Sequence, residues 1–155
     1  MIDPDQKGTI VGVTCGTGVV LFLDLAMYLL RMVIFKIGRT RKKNYMMFGN
    51  ETFDRLTDKS FKLILFSCFK EEGQVLAQPL FKALHEFSAK YNFNNFEYYL
   101  RVGEKGEGRW TEEALKPHVP LDAKKVMVIG PNGAEETIRE ILKKIGIKDN
   151  QFHRI

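Results

Sequence analysis

Short β-branched runs alternate along this chain with longer stretches whose apolar residues recur at helical spacing, and glycine turns mark the changes between them. Thr9 to Thr14 (TIVGVT) predicts a first strand, closed by the turn Cys15-Gly16-Thr17-Gly18. Val19 to Phe35 (VVLFLDLAMYLLRMVIF) predicts a helix that is apolar except for Asp24 and Arg31, which are spaced to share one face. Phe61 to Phe66 (FKLILF) reads as a second buried strand, followed by a polar turn. From Pro79, a residue suited to the first helical turn, Leu80, Leu84, Phe87 and Tyr91 form a core stripe. Phe96 to Val102 (FEYYLRV) is a third strand, and the glycine-rich loop Gly103 to Arg109 (GEKGEGR) leads through Trp110 to Thr111, placed as a helix cap. Lys125 to Ile129 (KVMVI) is a fourth strand, ending at Gly130-Pro131-Asn132-Gly133. The last helix has Asn132 and Glu135 at capping-box spacing and an apolar stripe of Ala134, Ile138, Ile141, Leu142 and Ile145. Lys143 and Lys144 occupy its last turn, and Gly146 lies beyond. Gln151 to Ile155 reads as a fifth strand. The alternation predicts an α/β, three-layer, Rossmann-like domain with a five-stranded parallel sheet.

Lys36 to Ser60 breaks this rhythm: it is polar, basic and without clear period, and it reads as an insertion in a single domain of residues 1–155. A chain of 155 residues with 45% apolar composition has room for one substantial core and is short for two. Its net charge of +5 is spread out except at Lys36 to Lys43 (KIGRTRKK), and no nucleic-acid motif accompanies it. A phosphate-bearing small molecule is the partner expected, and nucleic acid is not. The basic segment admits three readings: a solvated loop, a membrane-surface contact, or a docking point for an acidic electron-transfer partner. Val19 to Phe35 with that flank also admits a short membrane span, opposed by Asp24 and Arg31 within it and by the strand-turn entry. Cys15 and Cys68 have no metal or disulfide-framework spacing, which suits a reducing compartment, cytoplasmic or the cytosolic part of a membrane-associated protein; no structural zinc is expected. No secretory signal is read, and Met1 to Lys7 runs directly into the first strand, as in a fragment of a longer protein.

Parallel sheets take ligands beyond the carboxyl ends of their strands, at the point where strand order reverses. Gly16 to Gly18 and Gly130 to Gly133 both follow strands, so they face each other across one crevice if the first and fourth strands are neighbours. The first helix carries no acid before Asp24, which leaves its leading N–H groups for an anion such as a pyrophosphate, with Thr17 able to donate its hydroxyl. Glu135 and Glu136 in the first turn of the last helix oppose a phosphate there and suit an uncharged group such as a nicotinamide. Gly16 and Gly18 also admit a purely structural reading, close packing of strand on helix, and no glycine follows at the G-x-G-x-x-G spacing, where Leu21 stands.

Gly16-Thr17-Gly18, Gly108-Arg109 with Trp110-Thr111, and Gly130-Pro131 before the final helix, in this order and spacing, resemble the NAD(P)-binding domain of the ferredoxin reductase family, which includes cytochrome b5 reductases, ferric reductases and NADPH oxidases. The resemblance runs over about the whole chain outside Lys36 to Ser60. It implies that Gly16, Thr17 and Gly18 line a pyrophosphate, that Ser67 to Lys70 and Arg101 lie at the adenosine end, and that Gly130, Pro131, Asn132 and Gly133 meet the nicotinamide of NAD or NADP. It further implies hydride transfer to a flavin, FAD, held by a separate β-barrel domain that this chain lacks, so that the chain is not active alone. Lys70 or Arg101 would be the cation for an NADPH 2′-phosphate, with neither fixed to that role. Two positions depart from the family: Leu21 where a proline is usual, and Ile129 where a cysteine near the hydride path is usual. These departures leave open a structural or interaction module of the same fold. Cys15 reads as a small core residue rather than a substitute for that cysteine. His85, on the polar side of its helix, His118 in a loop and His153 in the terminal strand have no partner at ligand or triad spacing, while Phe152 and His153 fall near the family's terminal aromatic.

Overall fold

The computed structural model describes residues 7–40, 61–131 and 133–153. Four strands, β1 (Gly8–Cys15), β2 (Phe61–Phe69), β3 (Phe96–Val102) and β4 (Lys125–Ile129), form one parallel sheet in the order β3-β2-β1-β4. The helices are α1 (Leu23–Thr40), α2 (Gln78–Lys90), the single turn α3 (Glu112–Leu115) and α4 (Ala134–Ile145).

Alternation along the strands sorts the apolar residues onto two faces. Ile10, Leu63, Leu65, Phe96 and Met127 point to one side and pack with Phe22, Ala26 and Leu29 of the first helical segment and Phe81 and Leu84 of α2. Val11, Val13, Ile64, Phe66, Val126 and Val128 point to the other and pack with Trp110, Leu115, Ile138, Leu142 and Ile145. With both faces covered, the central strands read as nearly unbroken apolar runs, and the three-layer arrangement expected from the sequence is present.

Among the described residues the sheet has four strands rather than five. Of the residues expected in the fifth, Gln151 ends a 3-10 turn, Asp149–Gln151, because its amide donates to the Leu121 carbonyl at 2.9 Å and the Ala123 carbonyl at 2.7 Å while its oxygen accepts from the Lys148 N–H. Among the described residues of that segment, Phe152 forms one isolated parallel bridge to Val126, and the His153 N–H donates to the Val126 carbonyl at 2.9 Å. Residues 154–155 lie outside the described residues, as do 1–6 and 41–60, and with them most of the proposed insertion and Arg41 to Lys43 of the basic segment. Lys36 to Thr40 continue α1 as helix.

Three further differences are local. The helix expected from Val19 begins as a 3-10 segment, Gly16–Phe22, before relaxing into α1, on which Asp24 and Arg31 are both exposed as their spacing requires. The stripe of α2 is rotated: Phe81, Leu84 and Ser88 are its buried residues, with Leu80 and Phe87 flanking them. The N-cap of α4 is Gly133 rather than Asn132, which lies outside the described residues, and its N–H donates to Glu136 Oε2 at 2.7 Å.

Ser88 is buried because it has backbone groups to serve. Its hydroxyl oxygen accepts from the N–H groups of Asn95 (3.0 Å) and Phe96 (3.2 Å) and it donates to Asn95 Oδ1 (2.9 Å), fixing where β3 begins. Ser88→Ala is therefore expected to destabilise the chain by about 2 kcal/mol or more, since it strands two N–H groups away from water. Urea denaturation measures this, and a change below about 0.5 kcal/mol would contradict it.

Candidate functional site

β1 is central, β2 and β3 lie to one side of it and β4 to the other, so the strand order reverses between β1 and β4. Ile10 to Thr14 pair in register with Lys125 to Ile129, which places the two glycine turns side by side at the carboxyl ends of the strands. Between them opens a crevice of about 900 Å³, within the size range of small-molecule sites.

The two glycines of the first turn have different reasons to lack a side chain. Gly16 has φ +60°, and a Cβ there would meet nothing within 4 Å, so its requirement is conformational and its outer side is open. A Cβ on Gly18 would lie 2.7 Å from Ile129 Cγ2 and 2.8 Å from the Ile129 carbonyl oxygen, so its requirement is close approach to the end of β4. The packing reading therefore accounts for Gly18 and not for Gly16. Cys15 precedes the turn in extended conformation, and the first turn of the 3-10 segment carries no acidic residue. Its leading N–H groups have no partner within the segment and are available to an anion.

The opposite rim comes from the loops after β2 and β3, which are tied to each other. The Glu104 N–H donates to the Lys70 carbonyl at 3.0 Å, the Glu72 N–H donates to Glu104 Oε1 at 2.7 Å, and Lys105 pairs with Glu72. Arg101 donates to the Glu107 carbonyl and lies over the Trp110 ring at 5.5 Å, while Glu107 Oε2 accepts from the Val102 N–H at 2.7 Å. These contacts hold Gly108 and Arg109 at the crevice. Thr111 caps α3 as its position suggested, accepting from the Ala114 N–H.

Of the residues singled out from the sequence, Gly16, Thr17, Gly18, Lys70, Gly130 and Pro131 line the crevice. Ser67 does not: it is fully buried in β2, against the Thr14 hydroxyl at 3.0 Å. Arg101 serves the Glu107 loop instead, and Gly133 serves the α4 cap. Cys68 and Phe69, within the segment Ser67 to Lys70 expected at the adenosine end, line it too, and Arg109 and Ile129 join them without a role expected there. Arg109 had a signal in its position next to Trp110 at the end of a glycine-rich loop. Among the described residues the lining contains two cations, Lys70 and Arg109, and no carboxylate. Glu135 pairs with Arg139 and Glu136 with the Gly133 amide, so both acids in the first turn of α4 are engaged by partners of their own.

Cys15 and Cys68 meet at the crevice with sulfurs 2.9 Å apart. The hydrogen bond from Cys68, helped by the charge of Arg109, lowers the Cys15 pKa against the effect of burial, and the same hydrogen bond with burial raises that of Cys68. The histidines lie elsewhere. His85 is not on a solvent face: its Nδ1 accepts from the Tyr98 N–H of edge strand β3 at 3.1 Å, and the His118 ring sits 4.3 Å from that of Tyr99. No group of three metal-ligating side chains occurs among the described residues, and no helix among them is long and apolar enough to cross a membrane.

No family model and no curated protein matches the chain. Solved structures do. The cytochrome b5 reductase domain of Ulva prolifera nitrate reductase is similar with a TM-score of 0.62 at 13% identity, over 95% of this chain and 49% of that one. The CS-b5R domains of human Ncb5or, in their NAD+ form, are similar with a TM-score of 0.58 at 15% identity, over 99% of this chain and 38% of that one. Flavohemoglobin from Malassezia yamatoensis, with bound FAD and heme, is similar with a TM-score of 0.56 at 14% identity, over 98% of this chain and 32% of that one. The chain thus spans less than half the length of each. At these identities the likeness is one of fold, and the fold is the one that the glycine turns and their spacing led us to expect from the ferredoxin reductase family.

Proposed function

We propose that this chain is a pyridine-nucleotide-binding domain that presents NADH or NADPH for hydride transfer to a flavin held by a separate domain. The observation that carries the reading is the crevice between β1 and β4: it is walled by a glycine turn that opens a 3-10 segment with no side-chain cap and no acid in its first turn, rimmed by Lys70 and Arg109, and free of carboxylates among its described residues. The group fits this site. A pyrophosphate is doubly anionic, and the site offers N–H groups and a hydroxyl on one wall and two cations on the opposite rim of an opening large enough for a dinucleotide half. The neighbours in fold include one in its NAD+ form and one with bound FAD.

In this reading Gly16, Thr17 and Gly18 hold the pyrophosphate through backbone N–H groups and the Thr17 hydroxyl. Arg109 adds a charge-assisted contact, Lys70 stands toward the adenosine end, and Gly130 with Pro131 forms the wall against the nicotinamide, which when bound supplies the hydride. Ile129, packed against Gly18, bounds that wall with an aliphatic side chain that has no proton to exchange. Ser67 and Arg101 act behind the surface, the first by fixing the β1–β2 pairing and the second by holding the loop that carries Arg109.

Calorimetric titration of the chain with NADPH and with NADH tests this, and saturable binding of either is expected. Arg109→Ala is expected to weaken it about tenfold or more, the loss of one charge-assisted contact. A folded chain that binds neither nucleotide would overturn the reading.

A further inference from the structure

Cys15 and Cys68 are paired residues at the ends of β1 and β2. Their sulfurs lie 2.9 Å apart and both line the crevice, Cys15 partly exposed and Cys68 8% exposed. Neighbouring strands set paired residues about 4.8 Å apart, inside the range of about 4.4–6.8 Å between Cα atoms that a disulfide spans. A bridge therefore requires no separation of the backbone to be closed. The coenzyme reading gives neither thiol a task.

We propose that Cys15 and Cys68 form a dithiol exchange site at the floor of the crevice, which takes a low-molecular-weight disulfide such as glutathione disulfide. Cys15 is the attacking group: it is the more exposed of the two, a hydrogen bond from Cys68 and the charge of Arg109 favour its thiolate, and it faces an open space. It gives up its proton to water, and its sulfur bonds to one glutathione sulfur as the glutathione S–S bond breaks. The first glutathione leaves as a thiolate and takes a proton from water. Cys68, deeper and held as the thiol, then gives up its proton and attacks the Cys15 sulfur, and the second glutathione leaves and is protonated in turn. Two protein thiols are oxidised to one disulfide, one glutathione disulfide is reduced to two thiols, and the two protons released are the two taken up.

The test is peptide mass mapping of the full, reduced chain after incubation with glutathione disulfide and quenching by alkylation. Wild type is expected to carry a Cys15–Cys68 disulfide and no retained glutathione. Cys68→Ser is expected to stall with one glutathione on Cys15, and Cys15→Ser to acquire neither. Wild type that keeps both thiols open to alkylation, at an oxidant level that modifies an unstructured cysteine peptide, would overturn the proposal, as would glutathione lodging on Cys68 in Cys15→Ser as readily as on Cys15 in Cys68→Ser. No dinucleotide enters the experiment, so its outcome is separate from that of the coenzyme titration.

Discussion

Gly18→Val is expected to weaken NADH or NADPH binding by about tenfold or more and to destabilise the chain by about 1–3 kcal/mol, the usual cost of overpacking. A side chain at Gly18 runs into both the side chain and the carbonyl oxygen of Ile129. The side chain of Ile129 can turn aside, but its carbonyl belongs to the last residue of β4 and moves only with Gly130, the opposite wall of the crevice. Gly16→Ala provides the contrast. Its Cβ projects into open space, so its cost is the left-handed backbone alone, about 1–2 kcal/mol. Ile129→Ala should recover part of the stability lost at Gly18 and none of that lost at Gly16. Thermal unfolding without ligand, followed by calorimetric titration, measures both effects. Equal rescue of the two variants by Ile129→Ala would refute the close-approach argument.

Phe22→Ala is expected to cost about 3–5 kcal/mol, typical of a buried phenylalanine, and to reduce nucleotide affinity although Phe22 touches no ligand in the proposed arrangement. The ring is 1% exposed and sits in the notch left by Gly12 of β1, where an added Cβ would fall 2.6 Å from Phe22 Cζ. Phe22 also ends the 3-10 segment that Gly16 begins, so the ring seats the whole turn on the sheet. Gly12→Ala should be harmful in wild type and much less so in the Phe22→Ala background, because the methyl then enters space the ring has vacated and is left against Leu65 Cδ1 at 3.1 Å. A double-mutant cycle by urea denaturation measures this coupling, and strict additivity of the two substitutions would show that ring and notch do not depend on each other.

The elements that were legible in the sequence are those whose signals are local. β1, β3 and β4 are short apolar or β-branched runs bounded by turn residues, Thr111 has the chemistry of a cap, and the stripe of α4 recurs at helical spacing between acidic and basic turns. What was not legible depends on partners distant in the chain. Ser88 reads as polar and outward until the N–H groups of Asn95 and Phe96 arrive to use it, and with it the buried face of α2 turns toward Phe81. Ser67 and Cys68 look like the start of a turn, yet pairing with Thr14 and Cys15 carries β2 on to Phe69. Gln151 to Ile155 resembles a strand by composition, but the amide of Gln151 finds two carbonyls at Leu121 and Ala123. At the site, both glycine turns were visible, whereas the meeting of Cys15 with Cys68 follows from the β1–β2 register, which no spacing along the chain encodes. Of the two cations expected there, Lys70 stands at the rim while Glu107 and Trp110 claim Arg101, and Arg109 joins Lys70 in the lining.

The order β3-β2-β1-β4 also bears on how such a chain is made. Of the four strands β1 is synthesised first and takes β2 as one neighbour early, but its other neighbour is β4, the last of the four. Until Lys125 to Ile129 have left the ribosome, the growing chain carries β1 as a bare edge, with the apolar Val11 and Val13 on a face that α4 has yet to cover. β4 must pair with a strand more than 100 residues before it, Lys125 with Ile10, and such pairings are slow to form. A nascent chain stopped short of β4 can possess the whole glycine turn and still have no crevice.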